Sequence, residues 1–143
     1  MKSIAIGLSL ALALATAATG CSKKDDKAAS EKQSKVPTVS VGELETMLAK
    51  GACTPVDANG PETRKNRGVI PGAIRLSDYE TFSAAELPAD KARALVFYCA
   101  NEQCGASHEA AEKALATGHK DVRVLTAGIK GWVDAGKRVE PGA

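Results

Sequence analysis

The segment that most constrains the fold is ALVFYC, from Ala94 to Cys99, because it is continuously apolar and contains no charged residue. A strand with one solvated face alternates apolar and polar side chains, whereas a strand buried on both faces does not. Strands of the second kind occur in parallel sheets that are covered by helices on both sides. The segment therefore predicts a central parallel strand that ends at Cys99.

Helical and strand-like segments alternate around this strand. Ser40 and Glu43 fit a capping box, and the apolar pattern that follows predicts a helix ending at Gly51. The other predicted elements are strands over 53–58, 73–76 and 122–126, a helical turn over 62–66, and helices over 107–117 and 127–136. This alternation predicts an α/β fold with a mainly parallel central sheet flanked by helices, in one domain over residues 36–143.

The first 20 residues read as a signal peptide, with an early lysine, an apolar run and a final stretch of small residues. The run is shorter than the roughly 20 apolar residues that a spanning helix needs. Because the small residues end at Cys21, we predict a lipoprotein signal with Cys21 as the lipidation site. The alternative is an ordinary cleavage site near Ala18.

Residues 21–35 form the predicted lipid-anchored tether, since residues 22–35 contain no leucine, isoleucine, valine or aromatic residue that could recover the entropy cost of ordering. The expected location is the bacterial cell envelope, facing the periplasm and anchored to the inner or the outer membrane. From Val36 onward, 13 Lys and Arg residues stand against 14 Asp and Glu residues, a net charge of −1. This balance excludes a basic surface for nucleic acid.

Cys99 is the candidate nucleophile, because ligands gather at the carboxyl ends of parallel strands. The loop after it is small and polar, Ser107 is a candidate helix cap, and the loop amides with the helix N-terminus are expected to lower the pKa of the thiol. The predicted anion cradle consists of the amides of Ala100, Asn101, Glu102, Gln103, Cys104, Gly105 and Ala106. The alternative is that Cys99 is a small buried residue at a strand end.

Three cysteines remain after Cys21, and an odd number leaves at least one thiol without a partner in the chain. Cys53 opens a buried strand and is expected in the core. Cys104 has three interpretations: a resolving thiol that attacks a sulfenic acid or persulfide on Cys99, a structural or adventitious disulfide, or a residue that lines the loop.

No metal and no cofactor is expected. Cys99, Cys104 and His108 lack a fourth zinc ligand, and His119 is expected at the surface. Asp57, at the end of a strand, is predicted to organise the loops by hydrogen bonding, with Ser107 in a similar supporting role.

Three segments, in order, resemble the rhodanese-like family: VDANGPETRKNRGVIPGAIRL, VFYCANEQCGASHEAA and VRVLTAGIKGWVDAGKRVE. They are similar to the family's strand, turn and G-H-I-P-G-A element, its active-site loop, and its closing V-x-x-L-x-G-G-I-x-x-W stretch. The resemblance spans Ser40 to Glu140. It implies a sulfurtransferase in which Cys99 takes a sulfane sulfur as a persulfide and passes it to a thiol or cyanide-like acceptor. Trp132 matches the family's closing tryptophan, which packing explains.

The loop departs from the family pattern C-x-x-G-x-R-S, since it is two residues longer and has no arginine. The arginine position falls on Cys104 or Ala106, depending on the direction of counting. Without a guanidinium, recognition of a dianionic donor such as thiosulfate is weakened and phosphatase chemistry is disfavoured. Arg64, Lys65 and Arg67 either supply a cation from a neighbouring loop or form a solvated charged turn.

Three hypotheses follow for the function. The first is a tethered sulfurtransferase or persulfide carrier with Cys99 as nucleophile. The second is a redox protein in which Cys99 and Cys104 cycle between dithiol and disulfide. The third is a binding module of the same fold without turnover.

Overall fold

A computed structural model of the chain describes residues 36–142. The predicted signal peptide, the lipidation site Cys21 and the tether over 21–35 lie outside the described residues. They remain predictions from the sequence.

The centre of the domain is a five-stranded sheet in which every strand pairing is parallel. Its order is β1-β5-β4-β2-β3, with β4 in the middle. The bounds are β1 Thr38–Val39, β2 Cys53–Asp57, β3 Ile74–Arg75, β4 Ala94–Tyr98 and β5 Val122–Leu125. All residues of β4 are buried, which confirms the prediction made from its continuous apolar run.

Within residues 36–142, four α-helices cover the sheet: α1 Val41–Ala49, α2 Pro61–Arg67, α3 Ala106–Ala116 and α4 Gly128–Asp134. A short 3-10 helix, Ala84–Glu86, precedes β4. The predicted capping box is present at the start of α1, where Ser40 and Glu43 bond each other's backbone amides. The helices confirm the predicted α/β class, with a parallel sheet between two helical layers.

Side chains alternate between two apolar cores along β4. Phe97 and Cys99 pack in the core on the α3 side, together with the alanines of that helix. Val96 and Tyr98 pack in the other core, which contains Leu44 of α1 and residues of α4. Because period-two alternation sends successive side chains to opposite faces, Cys99 points under the start of α3.

Two elements and one side chain differ from the sequence expectations. Strand β1 and the 3-10 helix were not predicted, since two or three residues are too few to show a period. His119 was expected at the surface, but only 2% of it is exposed, and its Nε2 lies 2.9 Å from Lys91 Nζ. Within residues 36–142, no helix has the length and apolar character needed to cross a membrane.

Candidate active site

Cys99 follows the last residue of β4, and only 1% of it is exposed. Its Sγ–H donates a hydrogen bond to the carbonyl oxygen of Cys104 at 3.1 Å. The Ser107 Oγ lies 3.3 Å from the same sulfur. Since the thiol proton points to Cys104, the Ser107 hydroxyl is the donor in the second contact. The sulfur is therefore enclosed between the loop and the first turn of α3.

The loop after Cys99 folds into a turn of its own. The Cys104 N–H donates to the Asn101 carbonyl at 3.1 Å, and the Gln103 N–H donates to Asn101 Oδ1 at 3.0 Å. Two of the amides assigned to the anion cradle, those of Gln103 and Cys104, are thus engaged inside the loop. Asparagine favours this turn because its side chain replaces a backbone acceptor, and that preference overrides the predicted inward aim of these two amides.

The base of the loop is fixed by the start of α4. Ile129 N–H donates to the Cys99 carbonyl at 2.8 Å, and Lys130 N–H donates to the Ala100 carbonyl at 3.0 Å. Gly128 makes this approach possible, because it has a φ of 62° and a Cβ there would lie 2.6 Å from the Cys99 carbonyl oxygen. The first loop carbonyls are therefore held by the start of α4.

Ser107 does not cap α3, as the sequence suggested. The N-cap is Gly105, which has no side chain to bond the first turn. Ser107 lies inside the helix, and 1% of it is exposed. Its hydroxyl is directed to Cys99, and both its side chain and its backbone N–H lower the pKa of that thiol. Its supporting contact is thus with the nucleophile itself.

The pKa of Cys99 lies above its ordinary value, at about 11. Burial is the main cause, and interaction with the Cys104 side chain adds to it, while Ser107 acts in the opposite direction. The sequence predicted a lowered pKa, which is wrong for this resting state. A helix N-terminus and one serine favour the thiolate, but they do not replace the water lost on burial. The loop contains no arginine, whose guanidinium would stabilise the thiolate and lower the pKa of Cys99.

We expect Ser107→Ala to raise the pKa of Cys99 further. The Ser107 hydroxyl stabilises the thiolate more than the thiol, so its removal disfavours ionisation. Hydrogen bonds to charged groups contribute about 1.5–3 kcal/mol, or roughly one to two pKa units. The rate of Cys99 alkylation by iodoacetamide, resolved by peptide at several pH values below about 11, follows the thiolate fraction. At each of these pH values alkylation should be about tenfold or more slower in the variant, and an equal or faster rate would contradict the assignment.

Asp57 anchors a buried polar network at the ends of β2 and β4. Its Oδ2 accepts a hydrogen bond from Tyr98 OH at 2.7 Å, and its Oδ1 accepts the Asn59 N–H at 2.7 Å. Tyr98 OH in turn accepts the Ile70 N–H at 3.0 Å. Burial and the adjacent carboxylate raise the pKa of Tyr98 strongly, so it remains a donor. The Asp57 carboxylate thus links the end of β4 to the segment after β2 at Asn59 and, through Tyr98, to the segment before β3 at Ile70.

Arg64 completes this network and does not supply a cation for a donor at the loop. Its Nε lies 3.3 Å from Asp57 Oδ1, and its Nη2 donates to the carbonyls of Asp57 and Leu76 at 3.0 and 2.8 Å. Lys65 and Arg67 are exposed on α2. The two interpretations of this charged turn are therefore both wrong for Arg64.

Sequence reasoning also missed Tyr98, although a tyrosine inside an apolar strand signals a buried hydroxyl that needs a partner.

A profile of the rhodanese-like domain family matches residues 40–135. The chain belongs to the rhodanese-like family. No curated protein matches it.

Solved structures share the rhodanese-like fold. A Bacillus halodurans protein is 24% identical, with a TM-score of 0.64, over 74% of this chain and 77% of that one. A Rhodopseudomonas palustris protein of unknown function, described as a possible tyrosine phosphatase, is 26% identical, with a TM-score of 0.61, over 73% and 85%. A human single-domain sulfurtransferase is 23% identical, with a TM-score of 0.55, over 69% and 96%.

A surface cavity of about 350 Å³ lies beside the candidate active-site loop of this rhodanese-like domain. Asn101, Glu102 and Gln103 line it from the loop, and Ala127, Lys130 and Asp134 line it from the α4 side. Lys130 and Asp134 form an ion pair with each other. The cavity offers a polar, mixed-charge surface next to the loop.

The remaining predicted residues occupy the positions that packing requires. Cys53 is buried in the core on the α1 side, as predicted, and burial raises its pKa. Trp132 packs in the same core and donates its Nε1–H to the Arg138 carbonyl at 2.8 Å. Cys104 is partly buried against the core that contains Cys99, and both are free thiols. Between residues 36 and 142, no three His, Cys, Asp or Glu side chains are grouped to hold a metal ion.

Proposed function

We propose that this rhodanese-like chain is a sulfurtransferase or persulfide carrier with Cys99 as its nucleophile. The observation that carries the proposal is the position of Cys99: its sulfur lies at the carboxyl end of β4, enclosed by the loop and in contact with Ser107. The Cys99 thiolate attacks the sulfane sulfur of a donor, and the donor's remaining group leaves with the electron pair. The persulfide on Cys99 then passes its outer sulfur to a thiol or cyanide-like acceptor.

The raised pKa of Cys99 determines the turnover rate that we expect. With a pKa of about 11, roughly one Cys99 thiol in a thousand is ionised at about pH 8. Ionisation also breaks the hydrogen bond to the Cys104 carbonyl, so the reactive form differs from the resting form at that contact. We therefore expect slow turnover that accelerates with pH.

The missing loop arginine affects the choice of donor. The residues from Cys99 to Ser107 include no Lys or Arg, and the nearby Arg64 is engaged by Asp57. A dianion such as thiosulfate lacks a fixed cation there. A thiol persulfide, whose leaving group is a single thiolate, fits better. Phosphoryl transfer is not proposed, since it requires that cation more strongly.

The test is sulfide release from a sulfane donor in the presence of a dithiol acceptor. Purified protein is mixed with glutathione persulfide or thiosulfate, plus dithiothreitol, and sulfide is measured against a protein-free control. We expect protein-dependent release that is faster with the persulfide and rises with pH. Release equal to the protein-free rate with both donors would refute the proposal and leave the redox-protein and binding-module hypotheses.

We also propose that Cys21 carries a lipid that tethers the domain to the bacterial envelope, facing the periplasm. The support is the order of small residues, cysteine and polar tether in the sequence. Full-length protein expressed in a bacterial host should sediment with membranes and incorporate labelled palmitate. Cys21→Ser should lose the label, whereas Cys53→Ser should keep it. An unlabelled wild-type chain would refute the tether.

A further inference from the structure

Cys104 carries the second thiol of the loop, five residues after Cys99. The Cys99 sulfur donates a hydrogen bond to the backbone carbonyl of Cys104 and contacts the Ser107 hydroxyl. The Cys104 side chain also contributes to the raised pKa of the Cys99 thiol. Both residues pack against the same core. The loop therefore holds two free thiols against one core, with the carbonyl of Cys104 in contact with the Cys99 sulfur.

Burial separates the roles of these two thiols. Cys99 is 1% exposed, so an external acceptor has little access to the sulfur attached to its Cβ. Cys104 is partly exposed, and its carbonyl contacts that sulfur. A nucleophile that is already part of the loop can attack the inner sulfur of a Cys99 persulfide without access from solvent.

The turn that carries Cys104 has room to adjust. It is closed by the hydrogen bond from the Cys104 N–H to Asn101, whereas α4 holds the earlier carbonyls of Cys99 and Ala100. Gly105 follows, and a Cβ there would meet only Glu109 Oε1, at 3.7 Å. Formation of a Cys99–Cys104 bond therefore requires a rearrangement of this turn, in which the hydrogen bond between the Cys99 thiol and the Cys104 carbonyl is given up.

We infer that Cys104 resolves the persulfide of Cys99 internally and releases hydrosulfide. The Cys104 thiolate attacks the inner sulfur, and a Cys99–Cys104 disulfide forms. The bond between the two persulfide sulfurs breaks, and the outer sulfur leaves with its electron pair as HS⁻. An external dithiol then attacks the more exposed Cys104 sulfur, becomes a disulfide itself and restores both thiols. This inference rests on the proposed function and names hydrosulfide as the product of the transfer.

The test follows the mass of anaerobic protein loaded with glutathione persulfide, desalted, and left without reductant. Wild type should become about 2 Da lighter than the reduced chain, with a Cys99–Cys104 bond in the peptide map and one hydrosulfide released per chain. Wild type carried through without donor should stay reduced. Cys104→Ser should retain an extra mass of about 32 Da and release no hydrosulfide, and Cys53→Ser should behave as wild type.

A wild-type chain that keeps the added sulfur as stably as Cys104→Ser would overturn the inference while leaving the proposed function intact. An adduct on Cys104 in Cys99→Ser would show that Cys104 accepts sulfur itself, which would overturn the inference and also contradict the assignment of Cys99 as the nucleophile. If neither wild type nor Cys104→Ser gains sulfur or loses two hydrogens, the proposed function fails as well. The mass of Cys104→Ser therefore separates failure of the resolving step from failure of the nucleophile.

Discussion

Cys99→Ser should reduce donor-dependent sulfide release to the protein-free rate, a loss on the order of a thousandfold or more, because the covalent intermediate forms on the Cys99 sulfur. The substitution replaces Sγ with a smaller oxygen that can keep the contacts to Cys104 and Ser107, so we expect the fold to survive. Rates with glutathione persulfide and dithiothreitol measure the effect, with circular dichroism as the check on folding.

The matched control is Cys53→Ser, which also removes a buried thiol but from the core on the other side of the sheet. It should retain sulfide release while losing some stability, since a hydroxyl there has to be buried. A Cys99→Ser chain that works as fast as Cys53→Ser would refute a role for the Cys99 sulfur.

Asp57→Ala should lower the free energy of unfolding by about 3–5 kcal/mol, because it leaves the buried Arg64 guanidinium without its counterion. It also removes the acceptor of the Tyr98 hydroxyl and of the Asn59 amide. Asp57 is fully buried, so water cannot replace the lost contacts. Urea unfolding monitored by tryptophan fluorescence measures the change, since Trp132 is the single tryptophan.

Asp121→Ala provides the comparison on the surface. Asp121 also pairs with an arginine, Arg123, but both side chains are 39% exposed. Exposed pairs contribute about 1 kcal/mol or less, so this variant should stay close to wild type. Equal losses in the two variants would mean that Asp57 is not the centre of a buried network.

Much of the fold could be predicted from the sequence because the signals were local. The apolar run of β4, the capping box at Ser40 and Glu43, and the helix stops at glycine each specify their own segment. Strand β1 could not be found this way, since its two residues gain their pairing from β5. His119 was misplaced for a similar reason, because Lys91, 28 residues away, covers it.

The candidate site divides in the same way. The place of Cys99 at a strand end follows from the sequence, but its pKa depends on how completely the loop and α3 exclude water. The inward or outward direction of an amide is also a tertiary property, as Gln103 and Cys104 illustrate by bonding to Asn101. The sequence left Arg64 as either a cation for the donor or part of a solvated charged turn, and the fold places it against Asp57.

The most direct test of the central claim is the position of the added sulfur in a loaded Cys104→Ser chain, where internal resolution cannot remove it. Protein treated with glutathione persulfide is digested under acid conditions and fragmented. We expect the extra mass of about 32 Da on Cys99 alone. Sulfur found on Cys53, or a chain with no added sulfur at all, would contradict the assignment of Cys99 as the sulfur-accepting residue.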